Sequence, residues 1–415
     1  MKKEFHKGNR ERLYKMMKPH SLLVMFSGKE KRKTNDENYP FYTNRNFLYL
    51  TGLDSKEFVF AAAKDEETVR EMVFILPPDL IAERWTGTRL KADEVAEMSG
   101  IEKIFYVSQF SKMFHRMMAS GNYEHLYLDL YKADFDEEDT PAYEFARAAA
   151  ASYGYLKQEN VSPLVQKLRL IKQPCEIAAM REAEKITGAG ILAMMKASRP
   201  GMYEYQYKAE FDHALGQFGP QGPAFPSIIS AGKNNFCIHY YAYKGQALDG
   251  DMVLNDVGGW YDNVMTDVSR GWPCNGKFSE KQRLLYECAY ATSNHMFEII
   301  KPGMKMADVD GTIRRYNYER LKDAGVLDSY DKIGTYMWHG GAHHVGYDVH
   351  DVVKNPDVIA PGMVFCVDVG IYHEEWGIGF RLEDNCLVTE NGCENLSAAI
   401  PRSIHEIEDV MKKVY

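Results

Sequence analysis

The sequence predicts an α+β fold in two domains, an N-terminal α/β domain over residues 1–170 and a C-terminal domain over residues 171–415. Length is the first observation behind this, because 415 residues exceed what one hydrophobic core ordinarily supports. The second is the alternation of strand-like apolar runs with helical stretches through the first part of the chain. The third is the stretch from Asn160 to Pro174, where Pro163 and Pro174 bracket Leu164 to Ile171 and mark a join.

In the N-terminal domain the strand runs are Leu22 to Phe26, Phe58 to Ala61, Met72 to Leu76, Ile104 to Val107 and Leu126 to Leu130. Lys29 to Lys33 is basic and Asp134 to Asp139 is mostly acidic; both fall between structured runs, where solvated loops are expected. The C-terminal domain opens with a helix carrying Ile177, Met180 and Ala183 at helical spacing. A later helix begins at Ser279, because Ser279-Glu280-Lys281-Gln282 is a capping box that satisfies orphan amides. Met252 to Trp260 and Asp262 to Arg270 are strand-like and close together, the pattern of an antiparallel hairpin.

A hydrophobic fraction of 45% and a charged fraction of 26% are those of an ordinary globular protein. With 50 basic and 59 acidic residues the formal charge is -9, so neither nucleic acid nor an anionic membrane is an expected partner. The first residues lack the apolar core of a signal peptide and no apolar run reaches membrane-spanning length, so a cytoplasmic enzyme is expected. Seven cysteines without a Cys-x-x-Cys pair read as reduced core thiols.

Chemistry concentrates in the C-terminal half, at Asp256, Asp267, His343, Asp368 and Glu383. Four carboxylates and an imidazole in strand-like or turn contexts are hard, oxygen-rich ligands for one or two divalent ions. Asp256 and Asp267 lie on the two arms of the hairpin, where they could face each other, and opposed carboxylates repel unless a cation separates them. Asp262, nearer the turn, reads as a solvated acid.

Four histidines, at 339, 343, 344 and 350, fall within twelve residues of a chain that has 13, with Gly340, Gly341 and Gly346 allowing close backbone approach. Of these His344 reads as packed or solvated. Asp368 sits in an apolar run, Val364 to Gly370, where an acid is costly to bury without a cation or a proton. Arg381 and Glu383 are two apart and share a strand face, so the arginine could orient a ligand, while Asp384 faces the other way.

The ordered segments Leu254-Asn255-Asp256-Val257-Gly258, Thr266-Asp267-Val268-Ser269-Arg270, His339-Gly340-Gly341-Ala342-His343, Asp348-Val349-His350-Asp351-Val352, Pro361-Gly362-Met363-Val364 and Gly379-Phe380-Arg381-Leu382-Glu383-Asp384 resemble the aminopeptidase P and prolidase group of dinuclear metallopeptidases. Looser matches run through the N-terminal half, at Tyr39-Pro40-Phe41, Arg45 to Gly52 and Trp85 to Arg89. The resemblance implies a C-terminal pita-bread catalytic domain, as in methionine aminopeptidase, and an N-terminal non-catalytic domain.

It also implies two divalent ions, Mn2+ first with Co2+ or Zn2+ as alternatives. Asp256 would hold one, Asp267 and Glu383 would bridge, and His343 with Asp368 would complete the other. A hydroxide between them would attack the scissile carbonyl. Asp368 would take the proton of the attacking water, His239 and His350 would line the substrate pocket, and His339 and Arg381 would support it. The implied substrate is a peptide with proline in second position, and the implied assembly a homodimer or dimer of dimers in which Trp85 reaches a neighbouring subunit's pocket.

At Asp368 the family places glutamate, usually followed by proline, whereas Val369 follows here. Aspartate is shorter by about 1.5 Å of reach, against a catalytic tolerance of about 0.5 Å. The segment Ile371 to Gly377 is also short, so a locally rearranged hairpin is expected. Beside the Xaa-Pro aminopeptidase stand an Xaa-Pro dipeptidase, a metal-free creatinase-like hydrolase and a non-catalytic binding protein on the same fold.

Overall fold

The computed structural model describes residues 1–353 and 356–412. The chain divides into two compact units, one of residues Met1–Leu168 and one beginning at Arg169, two residues before the division expected from sequence. Pro163 lies in the first turn of the helix Ser162–Leu170, and Pro174 opens the helix Pro174–Ala197. Both stand where a missing N–H costs nothing.

The first unit is built on six strands: β1 (Ser21–Phe26), β2 (Val59–Lys64), β3 (Val69–Ile75), β4 (Ile104–Tyr106), β5 (His125–Leu128) and β6 (Lys157–Asn160). Their order is β4-β3-β2-β1-β5-β6. β1, β2 and β3 are antiparallel neighbours, while β4, β5 and β6 join in parallel. All five apolar runs became strands. The sixth strand, Lys157-Gln158-Glu159-Asn160, is a polar edge with no buried position and so left no apolar signal. The basic loop pairs with the acidic one through Lys31 and Glu138 (3.4 Å) and with the helix Pro141–Ser152 through Lys29 and Glu144 (3.3 Å), on exposed side chains.

The second unit carries β7 (Ile228–Ala231), β8 (Met252–Val257), β9 (Trp260–Tyr261), β10 (Val264–Met265), β11 (Val268–Pro273), β12 (Val364–His373), β13 (Ile378–Val388) and β14 (Cys393–Asn395). An antiparallel sheet runs β12-β13-β11-β8-β7, with β14 on β13. The helices Pro174–Ala197, Glu204–Gly216, Glu280–Ile299 and Ala307–Asp323 contribute Ile191, Phe211, Leu285 and Ile313 to a core shared with Trp272, Phe365 and Phe380 of the sheet. The capping box forms as expected: Gln282 Oε1 accepts from the Ser279 amide (2.8 Å) and Ser279 Oγ accepts from the Gln282 amide (3.4 Å).

β12 and β13 form an unbroken ten-pair ladder, closed by the short turn Glu374–Trp376 and by Gly377 at φ 65°. The left-handed region favours a glycine there. The shortened segment is therefore a tight, regular hairpin, with no bulge at Asp368.

Candidate metal centre

Strand alternation turns one face of the sheet into a site. On β12 Phe365, Val367, Val369 and Ile371 belong to the main core, so the period of two aims Cys366, Asp368, Gly370 and Tyr372 the other way. Phe380, Cys386 and Val388 are the core positions of β13, which puts Arg381, Glu383 and Asn385 on that same opposite face. The register then lines up Asp256 with Ser269, Ser269 with Glu383, and Glu383 with Asp368. Residues directly opposed across antiparallel strands share a face, so three carboxylates and a hydroxyl stand in one row.

Asp267 joins the row from its position just before β11, on the same face as Ser269. The expected opposition of Asp256 to Asp267 is corrected here, since Ser269 occupies the place across from Asp256. The cause is the two-residue turn at Asp262 and Asn263, with φ of 50° and 70° as a type I′ turn requires. It pairs Tyr261 with Val264 and Val257 with Val268, and the same count leaves Asp267 across from Gly258.

Ligand atoms converge in two groups. One oxygen from each of Asp256, Asp267 and Glu383 lies within 4.8 Å of the others, and so do one atom each from His343, Cys366 and Glu383. His343 Nε2 is 3.4 Å from Asp267 Oδ2 and 3.8 Å from Glu383 Oε1. Asp368 lies in neither group among the described residues; its Oδ2 is 3.1 Å from His339 Nδ1.

The charges oppose one another. Burial first, then the neighbouring carboxylates Glu383 and Asp256, holds Asp267 well above the usual carboxylate range. Burial, then Asp368 and Asp256, does the same to Glu383. Burial and the adjacent His350 pull His343 down to about 4, and the two rings stack at 3.9 Å. Oδ1 of each of Asp256, Asp267 and Asp368 is buried without a hydrogen-bond donor. Acid oxygens that crowd together, repel and lack donors are the complement of divalent cations.

A hydrogen-bonded layer fixes the row. Ser269 Oγ donates to Glu383 Oε2 (2.7 Å), and Asn385 Nδ2 donates to the Asp267 carbonyl (2.7 Å). Arg381 was expected to orient a carboxylate, and it donates from Nη2 to Asp256 Oδ2 (2.9 Å) rather than to its strand neighbour Glu383. Its Nη1 donates to the Tyr372 hydroxyl (2.9 Å), which lies 3.0 Å from His339 Nε2. Acceptors at Asp368 and the Gly340 carbonyl (2.9 Å) assign the neutral His339 proton to Nδ1. Burial opposes a positive charge on His339, but the Asp368 carboxylate raises its pKa. Asp256, Arg381, Tyr372, His339 and Asp368 are thus one continuous chain.

Of the remaining residues singled out, His239 and His350 are exposed on the open side, His239 near Tyr241 in parallel rings at 6.3 Å. His344 is buried, Nδ1 3.3 Å from the Val364 carbonyl. Asp384 points into the core, held by Arg270 (2.7 Å) and Arg402 (2.8 Å). The histidine loop is anchored by Asp351, whose buried carboxylate pairs with Arg169 and with Lys172 (3.0 Å). Burial opposes that charge, but the two cations hold Asp351 down at about 2.

Sequence reasoning missed Ser269, Tyr372 and Cys366. Tyr372 and Cys366 were readable in principle, since they stand four and two residues from Asp368 on its own strand face.

This donor set on this fold defines a metal-dependent hydrolase. The model of metallopeptidase family M24 matches residues 178–390, and that of the aminopeptidase P N-terminal domain matches residues 6–127. Xaa-Pro aminopeptidases of Haemophilus influenzae and Escherichia coli are 30% and 31% identical, each over 99% of this chain and 97% and 98% of theirs. A Bacillus anthracis structure described as a candidate aminopeptidase P has a TM-score of 0.97 at 35% identity, covering 99% of this chain and 98% of that one. Aminopeptidase P from E. coli with the inhibitor Pro-Leu has a TM-score of 0.90 at 28% identity, with the same coverage. The chain belongs to the aminopeptidase P family of M24 metallopeptidases, with a pita-bread domain preceded by that family's N-terminal domain.

Proposed function

We propose that the protein is an Xaa-Pro aminopeptidase that releases the N-terminal residue from peptides with proline in second position. Asp256, Asp267, His343, Glu383 and Asp368 would hold two divalent ions, Mn2+ first and Co2+ or Zn2+ as alternatives. When bound, such ions polarise a carbonyl oxygen and acidify water at neutral pH. The observation that carries the reading is the row of buried acids with donorless oxygens around one imidazole.

The chain's own residues divide the work. Asp368 Oδ1, free of hydrogen bonds, is the atom placed to receive a proton, while His339 at Oδ2 fixes the orientation of the carboxylate. Arg381, reaching both Asp256 and Tyr372, couples that orientation to the far end of the row. His350, exposed beside the His343 ring, can donate an N–H to an oxygen that gains charge. His239 lines the same open side. Location in the cytoplasm fits a chain in which no described helix is long and apolar enough to cross a membrane.

We further propose a homodimer or dimer of dimers. The helix Leu80–Thr86 has no buried residue and exposes Leu80 (76%), Ile81 (72%) and Trp85 (86%). An apolar set so exposed is suited to a neighbouring subunit.

The test is metal analysis of purified protein followed by assay on Xaa-Pro peptides. Mn2+ at a hundred times its Kd should stabilise the fold by about 2.7 kcal/mol, and Asp267→Ala should abolish that stabilisation. Turnover without any metal would indicate a creatinase-like hydrolase. Metal binding without turnover would indicate a binding protein, and cleavage confined to dipeptides a dipeptidase.

A further inference from the structure

Cys366 has no part in the aminopeptidase reading, yet it faces the same centre. It is fully buried, two residues before Asp368 on the same face of β12. Its sulfur, a His343 ring nitrogen and a Glu383 oxygen lie within 4.8 Å of one another. The His343 backbone amide donates to that sulfur at 3.3 Å, while burial and then the carboxylates of Glu383, Asp267 and Asp368 push the thiol well above its usual range, so it is a cation that would draw off its proton. Asp368, the acid assigned to this half of the site by resemblance, is instead turned to His339 at 3.1 Å. Beside the group, Asp267 Oδ1 is buried with no hydrogen-bond donor.

We propose, resting on the metal-centre reading above, that Cys366 Sγ is a ligand of the ion held by His343 and Glu383. One half of the centre then has nitrogen, sulfur and oxygen donors, while Asp256, Asp267 and Glu383 form an all-oxygen half. Donors around a tetrahedral ion with bonds of about 2.0–2.3 Å stand roughly 3.3–3.8 Å apart. The three atoms, within 4.8 Å of one another, stand at most about 1.5 Å beyond that spacing. On coordination the S–H bond breaks, an S–metal bond forms and the proton leaves to solvent, with no change of oxidation state. A thiolate favours Zn2+ or Co2+ over Mn2+, whereas carboxylates alone suit Mn2+. The two halves of the centre therefore differ in metal preference, and the sulfur half is the one that takes the softer ion.

Cobalt spectroscopy on the full-length protein tests this. Visible d–d absorption reports that Co2+ is bound, and a near-ultraviolet sulfur-to-cobalt charge-transfer band reports a thiolate ligand. Wild type should show both. Cys366→Ser should keep the visible band and lose the near-ultraviolet one, with Zn2+ affinity reduced about tenfold or more and Mn2+ affinity within about twofold. Cys366→Ala serves if the buried hydroxyl prevents folding, and Cys237→Ser, at an exposed cysteine, should retain both bands. Cobalt bound by wild type without a near-ultraviolet band, or a band that persists in both Cys366 variants, overturns the sulfur ligand and leaves the two-ion reading standing. Protein that binds no cobalt at all overturns both.

Discussion

Gly370→Ala tests whether the layer behind the metal centre sets catalytic geometry. Gly370 lies between Asp368 and Tyr372 on the site face of β12, and the imidazole of His339 occupies the space its side chain would fill. A Cβ built there would stand 2.9 Å from His339 Cε1, closer still to Nε2, and 3.0 Å from Tyr372 Cε2. Ordinary carbon contacts begin near 3.5 Å, so the ring must retreat by roughly 0.6 Å at Cε1 and further at Nε2. His339 cannot retreat alone, because it is tied to Asp368 on one nitrogen and faces the Tyr372 hydroxyl on the other. Catalytic geometry tolerates about 0.5 Å, and a displacement of 1 Å costs on the order of 100-fold. We therefore expect kcat/KM on a proline-second tripeptide to fall between about 10- and 100-fold, with metal-dependent stabilisation largely kept. Steady-state kinetics beside thermal melting with and without Mn2+ separates the two. Activity within about twofold of wild type would show that the chain from Asp256 to Asp368 does not govern catalysis.

Three further outcomes follow from the same contacts. Asp351, at about 2 in the fold against 3.8 unpaired, binds fewer protons folded than unfolded between those values, so its contribution is complete above pH 4 and lost as pH falls toward 2. That contribution is on the order of 2 kcal/mol, and Asp351→Asn should flatten the acid limb of the stability profile as well as lower the melting temperature at neutral pH; parallel profiles would refute it. Asp368→Glu should lower activity, because an extra methylene must fit a buried strand position whose ladder has no bulge to relax into; a gain of an order of magnitude or more would mean that the shorter acid limits the wild type. Trp85→Ala should weaken turnover of tripeptides more than metal binding, and unchanged kinetics would leave Trp85 outside the substrate site.

Much of the centre was legible in the sequence because acids inside apolar strands are rare enough to stand out. Asp256, Asp267 and Glu383 converge and His343 reaches them from the histidine loop, although Asp256 and Asp267 do not stand opposite each other as their spacing suggested. What the sequence left unreadable depends on register across strands far apart in the chain. Ser269 meets Glu383 114 residues away, and Arg381 chooses Asp256, 125 residues away, over the nearer Glu383. Asp368 illustrates the same limit: its identity was plain, but its turn toward His339 was not. In the first unit, apolar runs located five strands, yet nothing in a run says whether its neighbour lies parallel or antiparallel, and the polar edge strand β6 had no run to find.

The row of acids is divided between two local hairpins, β8 with β11 and β12 with β13, each of which can form from residues close in sequence. One carries Asp256 and Asp267, the other Asp368 and Glu383, and the two meet at Ser269 and Glu383. Each hairpin brings its own negative charge to that meeting, so closing the sheet in the absence of cations works against like-charge repulsion. Loop closure across the long intervening stretch adds an entropic cost. The joining of the two hairpins is thus the step that creates the centre, and divalent ions favour the joined state over the separated one. Refolding in the presence of divalent ions should accordingly accelerate at the closure step rather than at the hairpins, and the bound ions should slow the opening of that same seam.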